Sequence, residues 1–281
     1  MKKGLIFIML FFLIMLTGCN NNQKNETFKN LIEKHEIEKS TVLIIKEEVV
    51  SQGNGVNAIS YTNGFSGVIF DKDKSKYLIL TSYHTVESFE GNLYVLLWNV
   101  PRYNDLDNKD KKGIEPYYES KPKANIEYTN IKYDLAILSF SLDDELPLVE
   151  LADSNPEYGT EIAVISNPEN RERNYLSFGK ITTKKPVPFG DDKDKDQVNI
   201  IEHSAYVGSG SSGSVLLNND LKIVGINLGG STNLFGSFKK GKAMPVNRIV
   251  EFVDLYNKQW LILYLDNFFF HNIEAYMPLF L

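Results

Sequence analysis

Short runs of apolar residues separated by polar turns fill the chain from residue 40 to residue 248, and they predict strands. Six runs occupy the first half: Ser40–Lys46, Gly67–Phe70, Leu78–Thr81, Leu93–Asn99, Ala124–Tyr128 and Leu135–Phe140. Six more follow in the second half: Glu161–Ser166, Leu176–Thr182, Asn199–His203, Ser214–Leu217, Ile223–Leu228 and Lys242–Val246. Their β-branched and aromatic content, with Asn, Gly, Asp and Lys between them, favours antiparallel sheets over alternating strands and helices. We therefore predict an all-β protein of two six-stranded antiparallel β-barrels with a C-terminal helix.

The pattern divides the chain into five predicted segments. Residues 1–18 form a signal peptide, 19–39 a lipidated cysteine and tether, 40–145 the first barrel, 146–248 the second, and 249–281 a helix and apolar tail. The loop over Pro186–Asp196 is predicted to be mobile at the rim of the cleft between the barrels. Acidic and basic residues interrupt the tail 260–281, so it holds no apolar span of 18 residues and we do not predict a transmembrane helix.

The N-terminus has the pattern of a secretory signal. Lys2 and Lys3 precede an apolar run over Leu5–Leu16, and Thr17-Gly18-Cys19 follows it. Small residues leading into a cysteine resemble the bacterial lipobox, which implies that Cys19 is lipidated and becomes the first mature residue. The alternative is an ordinary secretory signal with a chance cysteine. Either signal predicts export across the cytoplasmic membrane, and a lipid on Cys19 would anchor the protein to the outer face of that membrane.

Composition excludes several classes of protein. The net charge is −6, and removal of residues 1–18, which hold two lysines and no acid, takes it to −8. A basic surface for nucleic acid is therefore not expected. Cys19 is the only cysteine, so no disulfide framework exists. The charged segment over residues 104–112 lacks the order of a metal-binding loop, and we expect neither a metal nor a cofactor.

One Gly/Ser-rich segment carries the candidate nucleophile. It reads Gly-Ser-Gly-Ser-Ser-Gly-Ser over residues 208–214, directly before the apolar run that starts at Val215. A serine hydroxyl needs a base to take its proton and N–H donors to hold the oxyanion, and flanking glycines let the backbone present such donors. We therefore interpret Ser212 as a nucleophile, with the N–H groups of Gly210 and Ser212 forming the oxyanion hole. The alternative is a flexible loop without chemistry.

A histidine and an aspartate precede this segment in suitable surroundings. His84 follows the apolar run Leu78–Thr81 in a short polar turn, and Asp134 directly precedes the run that begins at Leu135. The order His, Asp, Ser is that of one of the known catalytic triads. His203 is a competing base because it lies nine residues before Ser212, but its place inside a strand favours a structural role.

These segments resemble those of the chymotrypsin-fold serine proteases, particularly the bacterial HtrA-like and staphylococcal glutamyl endopeptidase branches. The resembling stretches are Leu-Thr-Ser-Tyr-His-Thr-Val around His84, Asp-Leu-Ala-Ile-Leu from Asp134, and Gly-Ser-Ser-Gly-Ser around Ser212. The resemblance covers residues 63–248. It implies that Ser212 attacks a peptide carbonyl, that His84 transfers the proton and that Asp134 orients His84.

The same resemblance implies which residues bind the substrate. Asn227, Leu228 and Gly229 correspond to the strand that pairs with the substrate backbone and lines the primary pocket. Asn227 and Leu228 replace the His and Trp of the glutamyl endopeptidases, which argues against a glutamate preference. Tyr206 stands where trypsin-like pockets hold an acid, so a preference for Arg or Lys is disfavoured and an uncharged side chain is expected.

The sequence thus predicts a membrane-anchored extracytoplasmic serine endopeptidase whose partners are protein or peptide substrates. Two alternatives stay open. One is a peptide-binding homologue of the same fold without catalytic activity. The other is an envelope lipoprotein that binds solutes, which the lipobox allows but the order of the triad residues does not explain.

Overall fold

A computed structural model describes residues 23–259 apart from residues 52, 54–56 and 190–197. Fourteen strands occur in this described part, and they form two antiparallel sheets of seven strands each. The predicted all-β class is confirmed. None of the helices in these ranges is long and apolar enough to cross a membrane.

The first sheet closes on itself. Its strands are β1 Thr41–Ser51, β2 Asn57–Tyr61, β3 Phe65–Asp73, β4 Lys76–Ser82, β5 Leu93–Leu96, β6 Lys123–Asn130 and β7 Leu135–Ser141. They follow the order β2-β1-β3-β4-β7-β6-β5, and β1 also pairs with β5. The β1–β5 pairing joins six strands into a barrel, and β2 lies outside it as a hairpin partner of β1.

The second sheet is closed by one bridge instead of a full ladder. Its strands are β8 Glu161–Ser166, β9 Tyr175–Lys180, β10 Val187–Phe189, β11 Val198–His203, β12 Val215–Leu217, β13 Ile223–Thr232 and β14 Phe238–Pro245. They follow the order β10-β11-β14-β13-β12-β8-β9. An isolated antiparallel bridge between Ile181 and His203 brings β9 and β11 together.

All twelve predicted strands correspond to strands of the structure, and two strands were missed. Asn57–Tyr61 is short and partly exposed, so its apolar pattern is weak. Val187–Phe189 lies inside the segment predicted as a mobile loop, and that prediction is wrong for these three residues because they pair with β11. Pro188 is tolerated there because β10 is at the edge of its sheet. Residues 190–197 of the same predicted loop lie outside the described residues.

In the described ranges three α-helices accompany the barrels: α1 over residues 23–34, α2 Ile114–Glu119 and α3 over residues 246–259. The predicted C-terminal helix is confirmed as α3. It buries Ile249, Phe252 and Tyr256 at intervals of three and four residues, while Val250 faces solvent. Short 3-10 turns occur at Ile37–Ser40, Tyr83–Thr85, Tyr103–Asp105 and Asn108–Asp110.

Helix α1 corrects the prediction of a tether over residues 19–39. From residue 23 onward the chain is helical, and Phe28, Ile32 and Ile37 are buried in the core. The Phe28 ring packs against Phe178 of β9 with centroids 5.8 Å apart. The polar composition of residues 20–27 concealed the start of this helix, because its first apolar residue is Phe28. Residues 19–22, with Cys19, lie outside the described part.

One hydrophobic cluster spans both sheets. It contains Leu80 and Leu135 from the first barrel and Ile165, Val215 and Leu228 from the second, and α1 and α3 add to it. Separate clusters fill the interior of each barrel. Loops that end the strands on either side of this shared core therefore meet at the seam between the barrels.

Replacing Phe28 with Ala tests whether α1 belongs to the folded body. We expect a loss of unfolding free energy of about 3 kcal/mol, because the ring is buried and its removal leaves a cavity. Chemical denaturation of the protein measures it, with the exposed Glu26→Ala on the same helix as the control. Equal stability of the two variants would show that α1 is only a tether.

Candidate active site

Three polar side chains predicted from the sequence meet at the seam between the barrels. His84 lies in the 3-10 turn that follows β4, and Asp134 lies in the turn that leads into β7. Strands β4 and β7 are paired neighbours, so their ends bring the two residues together. Ser212 precedes β12 of the second barrel. The His84 Nε2 to Ser212 Oγ distance is 2.9 Å.

The Asp134 carboxylate holds both the ring and the backbone of His84. Its Oδ2 lies 2.8 Å from His84 Nδ1, and its Oδ1 accepts the backbone N–H of His84 at 2.8 Å. An ionised carboxylate only accepts hydrogen bonds, so Nδ1 carries the proton and Nε2 is left as an acceptor for the Ser212 hydroxyl. Asp134 is 8% exposed and His84 is exposed, which leaves the imidazole open to a substrate.

The Ser212 loop, residues 208–214, takes a conformation that two glycines permit. Gly210 and Gly213 have φ values of 87° and 81°, in the region that favours glycine. A Cβ on Gly213 would lie 2.1 Å from Thr81 Oγ1 and 2.2 Å from the Ser66 carbonyl oxygen. The loop therefore presses against the first barrel more closely than any other residue type would allow.

Several carbonyl groups of the Ser212 loop accept hydrogen bonds from outside it. Glu169 N–H donates to the Ser209 carbonyl at 2.9 Å, and Ser66 N–H donates to the Ser212 carbonyl at 2.9 Å. In a planar trans peptide the C=O and the following N–H point in opposite directions. The Gly210 N–H therefore points away from residue 169. Within the described residues, neither the Gly210 N–H nor the Ser212 N–H has a hydrogen-bond partner.

Ser66 of β3 connects the first barrel to the Ser212 loop. Its hydroxyl donates to the Gly210 carbonyl at 2.9 Å and accepts the N–H of Asn167 at 2.9 Å. Its own carbonyl accepts the Thr81 hydroxyl at 2.8 Å. The sequence reading missed this role. Ser66 lies within residues 63–248, which the resemblance covers, but no pattern showed which loop it would bind.

Two arginines, Arg102 buried and Arg173 half-buried, fix the segment that carries Asn167. Arg102 donates to the carbonyls of Asn63 and Asn167, and Arg173 donates to the carbonyls of Leu96, Leu97 and Val100. Burial and the neighbouring Arg102 lower the pKa of Arg173 to about 10, so it stays charged at neutral pH. These guanidinium groups join the loop after β5 in the first barrel to the loop after β8 in the second.

His203, the competing base, lies away from Ser212. It is fully buried on β11 against Gly241 of β14, where a Cβ would lie 2.1 Å from the ring. Neither ring nitrogen has a partner in hydrogen-bond geometry among the described residues. Burial lowers the pKa of His203 to about 4, although the Asn227 side chain and the Ala205 backbone lie near enough to oppose the shift.

The four residues expected to bind substrate differ in burial and in what they contact. Asn227 is fully buried, its Nδ2 donates to the Ser211 carbonyl at 2.9 Å, and its backbone pairs with Gly213 and Ser214. The Asn227 side chain therefore supports the Ser212 loop, whereas the sequence predicted that it would contact the substrate. Tyr206 is half-buried against Phe238, with ring centroids 5.4 Å apart. Leu228 is 9% exposed and Gly229 is half-buried at the edge of β13.

Across residues 23–51, 57–189 and 198–259, no group of three or more His, Cys, Asp or Glu side chains is arranged to hold a metal ion. At the seam the Ser212 hydroxyl lies next to the His84 imidazole, which Asp134 orients, so the imidazole can take the hydroxyl proton. Unpartnered backbone N–H groups adjoin the hydroxyl.

A protein family and several known proteins are similar to this chain. A family described as the trypsin-like peptidase domain matches residues 65–226. The chain is 30% identical over 153 residues to a probable periplasmic serine endoprotease, DegP-like, of Rickettsia conorii, covering 53% of this chain and 29% of that protein. It is 28% identical over 165 residues to the serine protease Do-like HtrA of Bacillus subtilis, covering 58% of this chain and 32% of the other. The chain thus spans about a third of the length of these relatives.

Two solved structures share the fold. An HtrA-type protease, AlgW, determined with a decapeptide, superimposes with a TM-score of 0.59 at 17% identity, over 80% of this chain and 64% of that one. An inactive form of Rv3671c from Mycobacterium tuberculosis H37Rv superimposes with a TM-score of 0.56 at 13% identity, over 79% and 89%. The two-barrel architecture is that of the chymotrypsin-like fold.

The buried imidazole of His203 predicts loss of stability in acid. Its pKa lies near 4 in the folded protein and near 6.5 when unfolded, so the unfolded state binds more protons between these values. Stability is fully present above pH 6.5 and falls by up to about 3 kcal/mol as the pH approaches 4.

His203→Phe should reduce this dependence, because it keeps a ring and removes the titrating group. Unfolding free energies of both proteins at pH 7, 5.5 and 4.5 measure the difference in slope. The exposed His35→Phe is the matched control and should leave the slope unchanged. Parallel curves for the wild-type protein and the His203 variant would contradict the prediction.

Proposed function

The chain belongs to the trypsin-like peptidase domain family, and on that premise we propose that it is a serine endopeptidase acting through Ser212, His84 and Asp134. The observation that carries the proposal is the continuous chain of hydrogen bonds from Asp134 to His84 to Ser212. It is supported by the two unpartnered N–H groups beside Ser212.

In the proposed mechanism Ser212 Oγ attacks the carbonyl carbon of the scissile peptide bond while its proton passes to His84 Nε2. The carbonyl oxygen becomes an oxyanion and receives hydrogen bonds from the N–H groups of Gly210 and Ser212. His84 then donates the proton to the leaving nitrogen, the C–N bond breaks, and an acyl-enzyme remains. Asp134 keeps Nδ1 protonated and stabilises the imidazolium.

Deacylation repeats the sequence with water as the nucleophile. His84 Nε2 takes a proton from water, the hydroxide oxygen attacks the ester carbon, and a second oxyanion forms at the same two N–H groups. When that intermediate collapses, the C–O bond to Ser212 breaks and Ser212 Oγ regains the proton. The enzyme is restored and a carboxylic acid leaves.

We also propose that the substrate binds as an added strand on β13. Residues 229–232 pair with β14 on one side, and the opposite side has no strand partner among the described residues. This open edge starts next to Asn227, which is bonded to the Ser212 loop. Backbone pairing would place a peptide beside Ser212 with little dependence on its side chains.

For its location, we propose the outer face of the cytoplasmic membrane, with a lipid on Cys19. The basis is the lipobox-like sequence before Cys19 and the description of the Rickettsia relative as periplasmic. The lipid anchor rests on the sequence alone.

Substitution of the triad residues tests the function. Ser212→Ala and His84→Ala should each lower kcat by about 10⁴-fold or more, and the double variant should lose little more, because the residues act as one unit. Asp134→Asn should also be severe, since an amide can favour the wrong imidazole tautomer. Hydrolysis of a denatured protein mixture and labelling by a fluorophosphonate measure these losses.

Ser214→Ala is the matched control. Ser214 is buried two residues from Ser212, and its Oγ has no partner in the described structure, so its removal should leave labelling intact. A folded wild-type protein that resists labelling and cleaves nothing from pH 5 to 9 would identify a peptide-binding homologue without activity. Labelling that survived His84→Ala at full rate would refute the assignment of residues.

Replacement of Cys19 tests the anchor. Cys19→Ala should move the protein from the membrane fraction to the soluble fraction or leave the precursor uncleaved, while fluorophosphonate labelling persists. Mass spectrometry of the mature N-terminus checks the lipid directly. A mature protein that begins elsewhere and carries no diacylglycerol would overturn this part of the proposal.

A further inference from the structure

The hairpin that joins β13 to β14 exposes two large apolar side chains. Leu234 and Phe235 are 102% and 91% exposed, the two highest values among the large hydrophobic residues described. Adjacent apolar side chains in water contribute nothing to folding and often mark a contact surface. We call residues 233–237 the hairpin tip.

The hairpin tip is an ordered turn. The Asn233 Oδ1 accepts the N–H groups of Phe235 and Ser237 at 2.9 and 3.0 Å, and the Asn233 N–H donates to the Ser237 carbonyl at 2.8 Å. Gly236 has a φ of 77° that completes the turn. These bonds direct Leu234 and Phe235 outward in a fixed arrangement, which lowers the entropy lost when they bind a partner.

The base of the hairpin is braced against the segment that leads into the Ser212 loop. Phe238, the first residue of β14, packs edge-on against Tyr206, and Tyr206 packs edge-on against Tyr175. The position of the tip is therefore tied to that of the Ser212 loop. The tip begins within seven residues of Asn227, so it lies at most about 25 Å from it.

The open edge of β13 leads from the Ser212 loop to the tip. β13 runs from Ile223 to Thr232, passes the Ser212 loop at Asn227 and ends at the tip. A peptide added antiparallel to this edge would run from the tip toward Ser212. Its residues about five to seven positions upstream of the scissile bond would then reach Leu234 and Phe235.

We propose that the hairpin tip is an additional binding site for apolar residues of the substrate, upstream of the bond that is cleaved. This inference rests on the proposed function. It predicts a preference for apolar residues at those upstream positions of the substrate.

The topology argues against a membrane as the partner of the tip. Gln23 and Lys24, at the start of α1, lie next to Glu161 and Asn219, and Lys24 Nζ is 3.1 Å from Glu161. Asn219 belongs to the turn between β12 and β13, at the opposite end of β13 from the tip. The strand has ten residues, or about 30 Å. Gln23 follows Cys19 by four residues, so a lipid on Cys19 would hold the opposite end at the membrane.

The experiment uses the purified full-length protein and matched fluorogenic peptides with one cleavage sequence. One peptide carries Leu and Phe five to seven residues upstream, a second carries Ser there, and a third carries Leu and Phe at the same distance downstream. We expect kcat/KM to be highest for the first, mainly through a lower KM. The double variant L234S/F235S should reduce that advantage by about tenfold and leave the other two peptides unchanged.

Three comparisons keep the result specific. The variant Leu234→Met with Phe235→Leu should restore the preference, because it restores apolar area. Val49→Ser removes an exposed apolar side chain from β1, and it should have no effect. Fluorophosphonate labelling should be equal in all of these proteins, which shows that the site by Ser212 is intact.

The outcomes separate this inference from the proposed function. If labelling fails in the wild-type protein, the proposed function fails, and anisotropy of the labelled first and second peptides with the Ser212→Ala protein still tests the tip. Equal affinity for both peptides, or equal loss for all peptides in L234S/F235S, would overturn the inference. So would loss of binding to anionic phosphatidylglycerol vesicles in that variant with peptide binding unchanged.

Discussion

The fold of the candidate site depends on one side chain that bonds across the seam. Ser66 belongs to the first barrel, yet its hydroxyl and its backbone N–H hold the carbonyls of Gly210 and Ser212 in the second. Because the peptide unit is planar, holding a carbonyl also sets the direction of the N–H on its other side. The Gly210 and Ser212 N–H groups are thus oriented through the carbonyls that precede them, which accept from the Glu169 N–H and the Asn227 Nδ2, while Ser66 holds the peptide unit that follows each of these donors.

Two guanidinium groups, one buried and one half-buried, also bond across the seam. Arg102 and Arg173 bond to main-chain carbonyls of both barrels around Asn167, and Asn167 donates to Ser66. Burying a guanidinium group costs free energy unless its donors are satisfied, and here carbonyl oxygens satisfy most of them. The hydrophobic cluster that both sheets share favours their contact without fixing its direction. The directional polar bonds therefore set how the barrels meet, and with it the distance from His84 to Ser212.

The strands and the three candidate catalytic residues could be predicted because each depends on a local sequence pattern. Each strand carries its own alternation, and His84, Asp134 and Ser212 each stand beside a strand in a recognisable stretch. The bonds of Ser66 and Asn167 join residues about a hundred positions apart, and no local pattern records them. Helix α1 was misread because Phe28 and Ile32 gain their stability from Phe178 and its neighbours, which a composition of polar residues does not show.

Some buried polar groups near the Ser212 loop have no hydrogen-bond partner, although buried polar groups in proteins usually have one. His203, the Asn227 Oδ1 and the Ser214 Oγ are buried without partners in the described residues, and each such group costs about 1–3 kcal/mol. They lie on or beside the strands that carry the loop, where local rules are most often broken for function. Asn227 shows why this cost is tolerated. Its Oδ1 has no partner, but its Nδ2 donates to the Ser211 carbonyl and so fixes the residue before Ser212.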